Sequence, residues 1–440
     1  MGNIEFLSPY IPNTDQDRKK MLEVVGVEHL DDLFQDIPSD LRNPRLALPL
    51  PSSEFELLLE AQRLAEMNFR PGKLPCFLGA GVYRHFTPSV IGALASRGEF
   101  LTSYTPYQPE VSQGTLQSGY EFQTMASNLL NMDVANAGMY DGATSLAEAA
   151  LMACRISGRY KVAILKTVAP NYVEVVRTYT EPQGIDICFV DPEEPVLDSG
   201  TACVLVQHPN FFGYLENMSF WEQFAHANGS LLCVSMDPIA AAMFKPPGDY
   251  GADIATSEGQ ALGVPSSFGG PFVGLFASRE EFLRQMPGRL VGKTIDSNGS
   301  TGYVLTLQTR EQHIRRDRAT SNICTSTALV ALMATIYTSC MGKRGLRHIA
   351  ELCYEKSHYA ANEIGGLPGY SLPREGVFFQ EFLVVCPTEP KKVNAILLQN
   401  GIIGGYDVSD QVTNGMLFSF SELNTRSEID RLLEVLRGIS

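Results

Sequence analysis

Two polar residues follow apolar segments that we expect to be neighbouring strands. Asp237 comes directly after the run 231–235, and Gln260 comes after the run 254–256 and before the glycine-rich turn 268–271. The carboxyl ends of adjacent parallel strands share one edge of a sheet, so we expect both side chains to face one crevice. The carboxylate of Asp237 can pair with a protonated ring nitrogen, whereas the amide of Gln260 can only form hydrogen bonds.

This order of residues matches many enzymes that use pyridoxal phosphate (PLP), apart from one position. In such enzymes an acid pairs with the pyridine nitrogen, and a lysine before a glycine-rich turn holds the cofactor as a Schiff base. Gln260 stands where the lysine is expected and has no basic nitrogen. We therefore predict no covalently bound cofactor on this chain and no catalytic residue of its own. Lys245 is the one lysine between Asp237 and the turn, but it precedes the expected strand.

Several other residues could belong to the same pocket. The segment Gly142, Ala143 and Thr144 opens a predicted helix, where free backbone N–H groups suit a phosphate, although an ordinary helix cap explains it as well. His208 follows the strand 203–206 and is either a pocket residue or a turn former before a proline. Asp237 is either a remnant of a cofactor-pairing acid or a cap at the strand end. The predicted vestigial cofactor pocket thus comprises Gly142, Ala143, Thr144, His208, Asp237 and Gln260.

Two further polar segments could reach a ligand or a partner. A proline-stiffened loop carries Tyr104, Thr105, Tyr107 and Gln108, and such groups suit a binding surface, although a loop packed on its own domain is equally compatible. The segment 308–322 holds four arginines and ends in Thr320, Ser321 and Asn322, which could cap the uncharged segment 323–342. Arginines beside a helix N-terminus suit an anionic ligand, and the alternative is a solvated face of salt bridges.

Composition narrows the class of protein. The net charge of −15 argues against sequence-independent binding of nucleic acid. The nine cysteines include no C-x-x-C pair, so we expect free thiols in a reducing compartment and no metal site. We expect no secretory signal in residues 1–12. The uncharged segment 323–342 is dotted with Thr and Ser, which favours a buried helix over a membrane span. We therefore predict a soluble, cytoplasmic protein without membrane contacts.

The order of elements predicts an α/β fold. Apolar runs at 162–165, 187–190, 203–206, 231–235 and 254–256 alternate with helical patterns, which indicates a mostly parallel sheet covered on both faces. We expect three parts: a helical arm over 1–70, a large α/β domain over 71–345, and a smaller α+β domain over 346–440.

Several long motifs stand in the chain: FLGAGVYRHFTPSV, EFLTSYTPYQPEVSQGTLQ, NAGMYDGATSLAEA, PNYVEVVRTY, FGGP, MPGRLVGKTID and LTLQTREQHIRRDRATSNICT. In these motifs the chain resembles, essentially end to end, the N-terminal half of the glycine-cleavage P-protein, which many prokaryotes make separately as subunit 1 of glycine dehydrogenase (decarboxylating). One departure is Ala169, where a histidine is expected before the proline.

The resemblance implies a fold, a reaction and partners. The fold is the PLP-dependent aminotransferase-like fold (fold type I), in an α2β2 complex with subunit 2, which carries the Schiff-base lysine and the PLP. The complex decarboxylates glycine and transfers the aminomethyl group to the lipoyl arm of H-protein. Two alternatives stay open, a purely structural or regulatory scaffold for subunit 2 and an autonomous PLP enzyme. Relatives of this fold place their active sites at the dimer interface. From their polarity in otherwise apolar surroundings, we expect these residues to project toward the partner's site: Tyr104, Thr105, Tyr107, Gln108, Thr320, Ser321 and Asn322.

Overall fold

The computed structural model describes residues 12–42, 44, 47–69 and 72–439 of the 440-residue chain. Contacts divide the chain into two units, Met1–Phe69 and Arg70–Ser440. Each unit is described by itself. The expectation about a secretory signal concerns residues 1–12, and all but the last of these lie outside the described residues.

The first unit is helical in its described part. Helix α1 (Asp15–Val25) begins after Thr14, because Thr14 and Asp17 form a reciprocal capping box at its N-terminus. No described residue of this unit is buried, so its apolar side chains form no core within the unit. The remaining elements are 3-10 turns at Leu30–Phe34 and Ser39–Leu41 and helix α2 (Glu54–Glu66).

A seven-stranded sheet forms the centre of the second unit. Its strands are β1 (Val134–Ala135), β2 (Lys161–Leu165), β3 (Asp186–Val190), β4 (Cys203–His208), β5 (Leu231–Met236), β6 (Ile254–Glu258) and β7 (Gly274–Ser278). The strand order is β1-β7-β6-β5-β4-β2-β3. Strands β2 to β6 run parallel, and β7 pairs antiparallel with β6 and β1. The prediction of a mostly parallel sheet is therefore confirmed, although the sequence pattern does not predict β1 and β7.

Helices cover this sheet. Helix α6 is buried at every residue from Thr144 to Cys154, as expected of a helix that is apolar on all sides. Its alanines allow close approach to the sheet, and the two share one hydrophobic core. The helices of this part are α3 (Ser89–Ala95), α4 (Gly98–Leu101), α5 (Gln113–Leu130), α6 (Gly142–Ser157), α7 (Pro170–Thr180), α8 (Met218–Ala227) and α9 (Gln312–Arg315).

The C-terminal part has a second, smaller sheet. Its core is a cluster of buried apolar side chains contributed by strands and helices alike. A separate hairpin, β8 (Leu290–Ile295) with β9 (Thr301–Thr306), precedes it. The later elements are α10 (Ala328–Gly365), β10 (Glu381–Val385), α11 (Pro390–Gln399), β11 (Tyr406–Asp407), β12 (Gly415–Ser419) and α12 (Arg426–Arg437), with strand order β10-β12-β11. The boundary expected at residue 345 falls inside α10, close to a kink at Gly342, and the division into domains stays a prediction.

The helix expected over 323–342 begins later than predicted. Helix α10 starts at Ala328, so Thr320, Ser321 and Asn322 do not cap it, and that prediction is wrong. The reason is tertiary: the Cys324 backbone N–H donates to the Tyr140 hydroxyl at 3.1 Å, and the Thr327 hydroxyl donates to the Met139 carbonyl at 3.0 Å. These bonds hold the segment in an irregular path before the helix begins.

The composition led to two further expectations, free cysteine thiols and no membrane-spanning helix. All nine cysteines lie in the described residues and carry free thiols. Six of them are buried, as the apolar runs around them predict. No helix among the described residues is long and apolar enough to cross a membrane.

Candidate functional site

A small cavity lies where the loops after β5 and β6 meet. Asp237 and Gln260 both line it, as the strand-end argument predicts. The cavity measures about 50 Å³, which holds one or a few water molecules. Three acids line it, and none of the lining residues is a lysine, arginine or histidine. The polar side chains of the lining are Tyr83, Tyr172, Gln207, Asn210, Ser235, Asp237, Glu258, Gln260, Gln380 and Glu381.

The Gln260 side chain is buried and forms hydrogen bonds within the protein through both its oxygen and its nitrogen. The side chain is 3% exposed. Its Oε1 accepts a hydrogen bond from the Tyr83 backbone N–H at 3.1 Å, and its Nε2 donates to the Val264 carbonyl at 2.9 Å. Both ends of the amide are therefore paired, and the side chain fastens the loop at Tyr83 to the turn after β6. A buried amide without these partners would be costly, so the amide is built into the fold.

The N-terminus of α6, predicted as a phosphate site, is occupied by carboxylates of the chain itself. Asp141 Oδ1 accepts from the Thr144 backbone N–H at 2.7 Å, which is the ordinary cap that the sequence left open. Glu258 Oε2 accepts from the Gly142 N–H at 2.8 Å. Glu258 Oε1 accepts from the Gln260 backbone N–H at 2.9 Å. A phosphate at this helix end would compete with these two carboxyl groups for the same N–H donors.

Burial raises the pKa of each of the three acids that line the cavity. Burial raises the pKa of Glu258 to about 8, although the N–H groups of Gly142 and Gln260 oppose the rise. Burial also raises the pKa of Glu381 to about 7, against hydrogen bonds from the Ala80 N–H and the Tyr83 hydroxyl. The pKa of Asp237 is raised by the same cause.

Asp237 is held by the protein at both carboxylate oxygens. Its Oδ1 accepts from the N–H groups of Ile239 and Ala240 at 2.9 and 2.7 Å, which is the capping role at a strand end. Its Oδ2 accepts from Gln380 Nε2 at 3.2 Å. The acid is therefore available to no ring nitrogen unless Gln380 moves.

The residues of this cavity do not fit PLP. Sites for cofactors measure roughly 300 Å³ or more, and this space is about 50 Å³. The helix end that would hold a phosphate already binds Glu258, and position 260 offers no amine. The pocket of this chain can bind water and stabilise the loops around it, and it holds no group that could form a covalent bond to an aldehyde.

Several expected or possible pocket residues do not line the cavity. Gly142, Ala143 and Thr144 are absent from its lining, although the Gly142 N–H donates to Glu258, which does line it. His208 is buried but does not line the cavity; its Nδ1 accepts from the Glu216 backbone N–H at 3.2 Å. Burial lowers the pKa of His208 to about 4, so the ring is neutral at pH 7. Lys245 is exposed and also absent from the lining. The turn-forming interpretation of His208 therefore suits the structure better than a ligand-binding one.

The residues predicted to complete a partner's site lie outside this cavity. Tyr104 and Tyr107 are 75% and 76% exposed. Gln108 and Asn322 are also exposed, whereas Thr105, Thr320 and Ser321 are half-buried. Pro106, in the first of these segments, and Ser326, four residues after the second, line one cavity of about 30 Å³.

The arginine-rich segment is partly structural. Arg310 is buried and donates to the backbone carbonyls of Met286 and Gly288, the latter at 2.7 Å. Arg315 donates to the Thr309 carbonyl at 3.1 Å, while its neighbours at 316 and 318 are exposed. One of the four arginines is thus committed to the core of the hairpin region, and the remaining three face outward.

Sequence reasoning missed several residues of the cavity. Glu258 ends strand β6, and the same strand-end argument that selected Gln260 could have selected it. Glu381 and Gln380 offered no such indication, because they lie more than a hundred residues further along the chain. Tyr83 lies in a segment that the sequence marks only as irregular.

The fold and the cavity together define the class of protein. The chain has the fold of PLP-dependent fold type I enzymes, in a form without the lysine. Its structure is similar to that of Burkholderia pseudomallei sphingosine-1-phosphate lyase (14% identity, TM-score 0.62, covering 90% of this chain and 93% of that one). It is also similar to Lactobacillus brevis glutamate decarboxylase (13% identity, TM-score 0.63, covering 91% and 97%). At these identities the likeness shows the fold alone.

More similar proteins identify the family. The family model described as glycine cleavage system P-protein matches residues 8–436. The chain therefore belongs to the glycine cleavage system P-protein family. It is 49% identical to the probable glycine dehydrogenase (decarboxylating) subunit 1 of Thermomicrobium roseum (97% of this chain, 99% of that one) and 48% identical to that of Desulforamulus reducens (98% and 100%). A crystal structure of glycine decarboxylase (P-protein) in inhibitor-bound form matches with TM-score 0.93 and 41% identity, covering 98% of this chain and 100% of that one.

Proposed function

We propose that this chain is subunit 1 of a PLP-dependent, glycine-decarboxylating enzyme, and that the PLP is bound covalently by a companion chain, subunit 2. The observation that carries the proposal is Gln260, an amide engaged on both sides where the family's active sites require an amine. The small, acid-lined cavity supports the same division of labour, because it leaves no room for the cofactor on this chain.

The proposed complex contains two copies of each subunit. It would release carbon dioxide from glycine and pass the aminomethyl group to the lipoyl arm of H-protein, in the cytoplasm of a prokaryote. Family membership supports these assignments, since the relatives of this chain are named as one subunit of glycine dehydrogenase. The naming itself requires a second subunit.

This chain would also complete the partner's active site. The proposed site-completing residues are Tyr104, Thr105, Tyr107, Gln108, Thr320, Ser321 and Asn322. The exposure of Tyr104 and Tyr107 supports the proposal, because two large aromatic side chains in one loop remain available for a partner. The hydroxyl of Thr105 is buried and has no hydrogen-bond partner within this chain, so the loop would have to move for Thr105 to reach a partner.

Co-expression of the two chains tests the proposal. We expect PLP on the companion chain alone, and glycine–bicarbonate exchange only when both chains are present. The purified single chain should lack the yellow absorbance of bound PLP. Yellow colour and exchange by the single chain would instead support an autonomous enzyme.

Substitution of one loop residue separates site completion from a scaffold role. In the complex, Tyr107→Phe should lower exchange while leaving assembly and PLP content unchanged. Tyr160→Phe is the matched control, because Tyr160 is 64% exposed and precedes β2, far along the chain from this loop. Wild-type exchange by the Tyr107→Phe and Thr320→Ala complexes would favour a scaffold that never contacts the partner's site.

A further inference from the structure

We propose that the Glu258 carboxyl group fills the phosphate position of the lost cofactor site, so that this chain excludes PLP by occupancy as well as by lacking the lysine. This inference concerns the chain's own pocket and rests on the proposed function, because its first test uses the companion chain.

The position of Glu258 carries the first step. Its carboxylate bridges the first N–H of α6, at Gly142, and the backbone N–H of Gln260, at 2.8 and 2.9 Å. A helix N-terminus favours an anion because its N–H groups are unpaired and its dipole is positive there. Asp141 takes the Thr144 N–H of the same turn at 2.7 Å. The donors that would hold a phosphate therefore already hold carboxylates.

The space around this helix end carries the second step. A Cβ atom added at Gly142 would lie 2.5 Å from the Tyr172 hydroxyl and 2.8 Å from the Glu258 Cβ. The start of α6 is thus packed closely against Tyr172 and Glu258. In the small cavity that remains, Gln380 Oε1 is buried and has no hydrogen-bond partner. A water molecule suits that acceptor, whereas a phosphate would add further acceptors to a lining that is already acidic.

Two explanations for the lack of bound cofactor, the missing amine alone and occupancy by Glu258, predict different results for substitutions. If the missing amine were the only obstacle, Gln260→Lys would restore cofactor binding, since the side chain at this position lines the cavity. If Glu258 occupies the phosphate position, Gln260→Lys alone should fail. Replacing Glu258 with alanine as well should free the two N–H donors and the space that the carboxyl group now fills.

The test uses the full-length chain in complex with its companion chain, incubated with PLP. An amine at position 260 would condense with the aldehyde of PLP and release one water molecule. Borohydride then adds hydride to the carbon of the C=N bond, and water supplies the proton to nitrogen. Mass mapping of the peptide that contains position 260 measures the reduced label there, independently of cofactor on the companion chain.

We expect at least ten-fold more label at position 260 in Glu258→Ala/Gln260→Lys than in Gln260→Lys. Glu258→Gln/Gln260→Lys should stay unlabelled, because the amide still fills the space. Glu216→Ala/Gln260→Lys is the matched control: Glu216 also accepts two side-chain hydrogen bonds, from Thr167 and Asn210, but none from α6. Strong labelling of Gln260→Lys alone overturns the proposal, as does an unlabelled double variant that assembles normally.

A second measurement covers a double variant that fails to assemble. Glu258→Ala alone should bind inorganic phosphate at the freed helix end, so phosphate should raise its melting temperature more than that of the wild type. Sulfate and chloride at equal ionic strength separate anion binding from a general salt effect. An equal response of wild type and variant to phosphate would contradict the proposal that the Glu258 carboxyl group fills this position.

Discussion

Glu258→Gln is expected to flatten the dependence of this protein's stability on pH. Burial raises the pKa of the Glu258 carboxyl to about 8 in the folded chain, from an ordinary value of 4.5. Between these values the folded chain keeps a proton that the unfolded chain has released. The stabilisation from that proton is complete below the unfolded pKa, declines as the pH rises, and is lost once the pH passes the folded pKa.

The size of the effect follows from the pKa. One pKa unit corresponds to about 1.4 kcal/mol, so the rise from 4.5 to about 8 corresponds to about 5 kcal/mol over the whole range. The amide at position 258 has no proton to release, so this contribution vanishes. Its NH2 group would face one of the two backbone N–H groups that the carboxylate now accepts, at a cost of about 1–3 kcal/mol. That cost is the same at every pH and leaves the slope unchanged.

Unfolding followed by calorimetry and by urea at several pH values checks this expectation. From about pH 6 to about pH 8, the wild type should lose about 2 kcal/mol of unfolding free energy relative to the variant. Glu381, whose pKa is raised to about 7, titrates in both proteins and cancels in the comparison. Glu194→Gln, at an exposed position, is the control. Parallel curves for wild type and Glu258→Gln would refute the reasoning.

Three other substitutions have defined outcomes. Gln260→Ala leaves a buried N–H and a buried carbonyl unpaired and should cost about 2–4 kcal/mol in unfolding free energy; an unchanged melting temperature would show that water replaces the amide. Arg310→Ala removes the donor to two buried carbonyls and should cost a similar amount, whereas Arg318→Ala, at an exposed position, should change stability by less than about 0.5 kcal/mol. Gly142→Ala should destabilise by about 1–3 kcal/mol through crowding, while Gly92→Ala, with no atom near its added Cβ, should be neutral or slightly stabilising. Equal effects of the two glycine substitutions would contradict the close packing at the start of α6.

Local patterns predict the sheet and its parallel strands well. The runs that become β2 to β6 are short, apolar and separated by helical spacers, which only a covered parallel sheet accommodates. The capping box at Thr14 likewise fixes the start of α1 from residues three positions apart. The start of α10 is decided differently. Bonds from 324 and 327 to residues near 140 delay the helix, and no local pattern contains them.

The sequence by itself determined that Asp237 and Gln260 meet at one sheet edge, and it predicts that Gln260 stands where a cofactor-binding lysine would be. Both conclusions depend on strand order and side-chain chemistry, which are local properties. Tertiary structure decided what fills the pocket: Tyr83 bonds Glu381, 298 residues away, and Glu258 bonds Gly142, 116 residues away. Such pairs depend on how distant loops pack against each other, and a buried carboxylate is tolerated only where that packing supplies its donors.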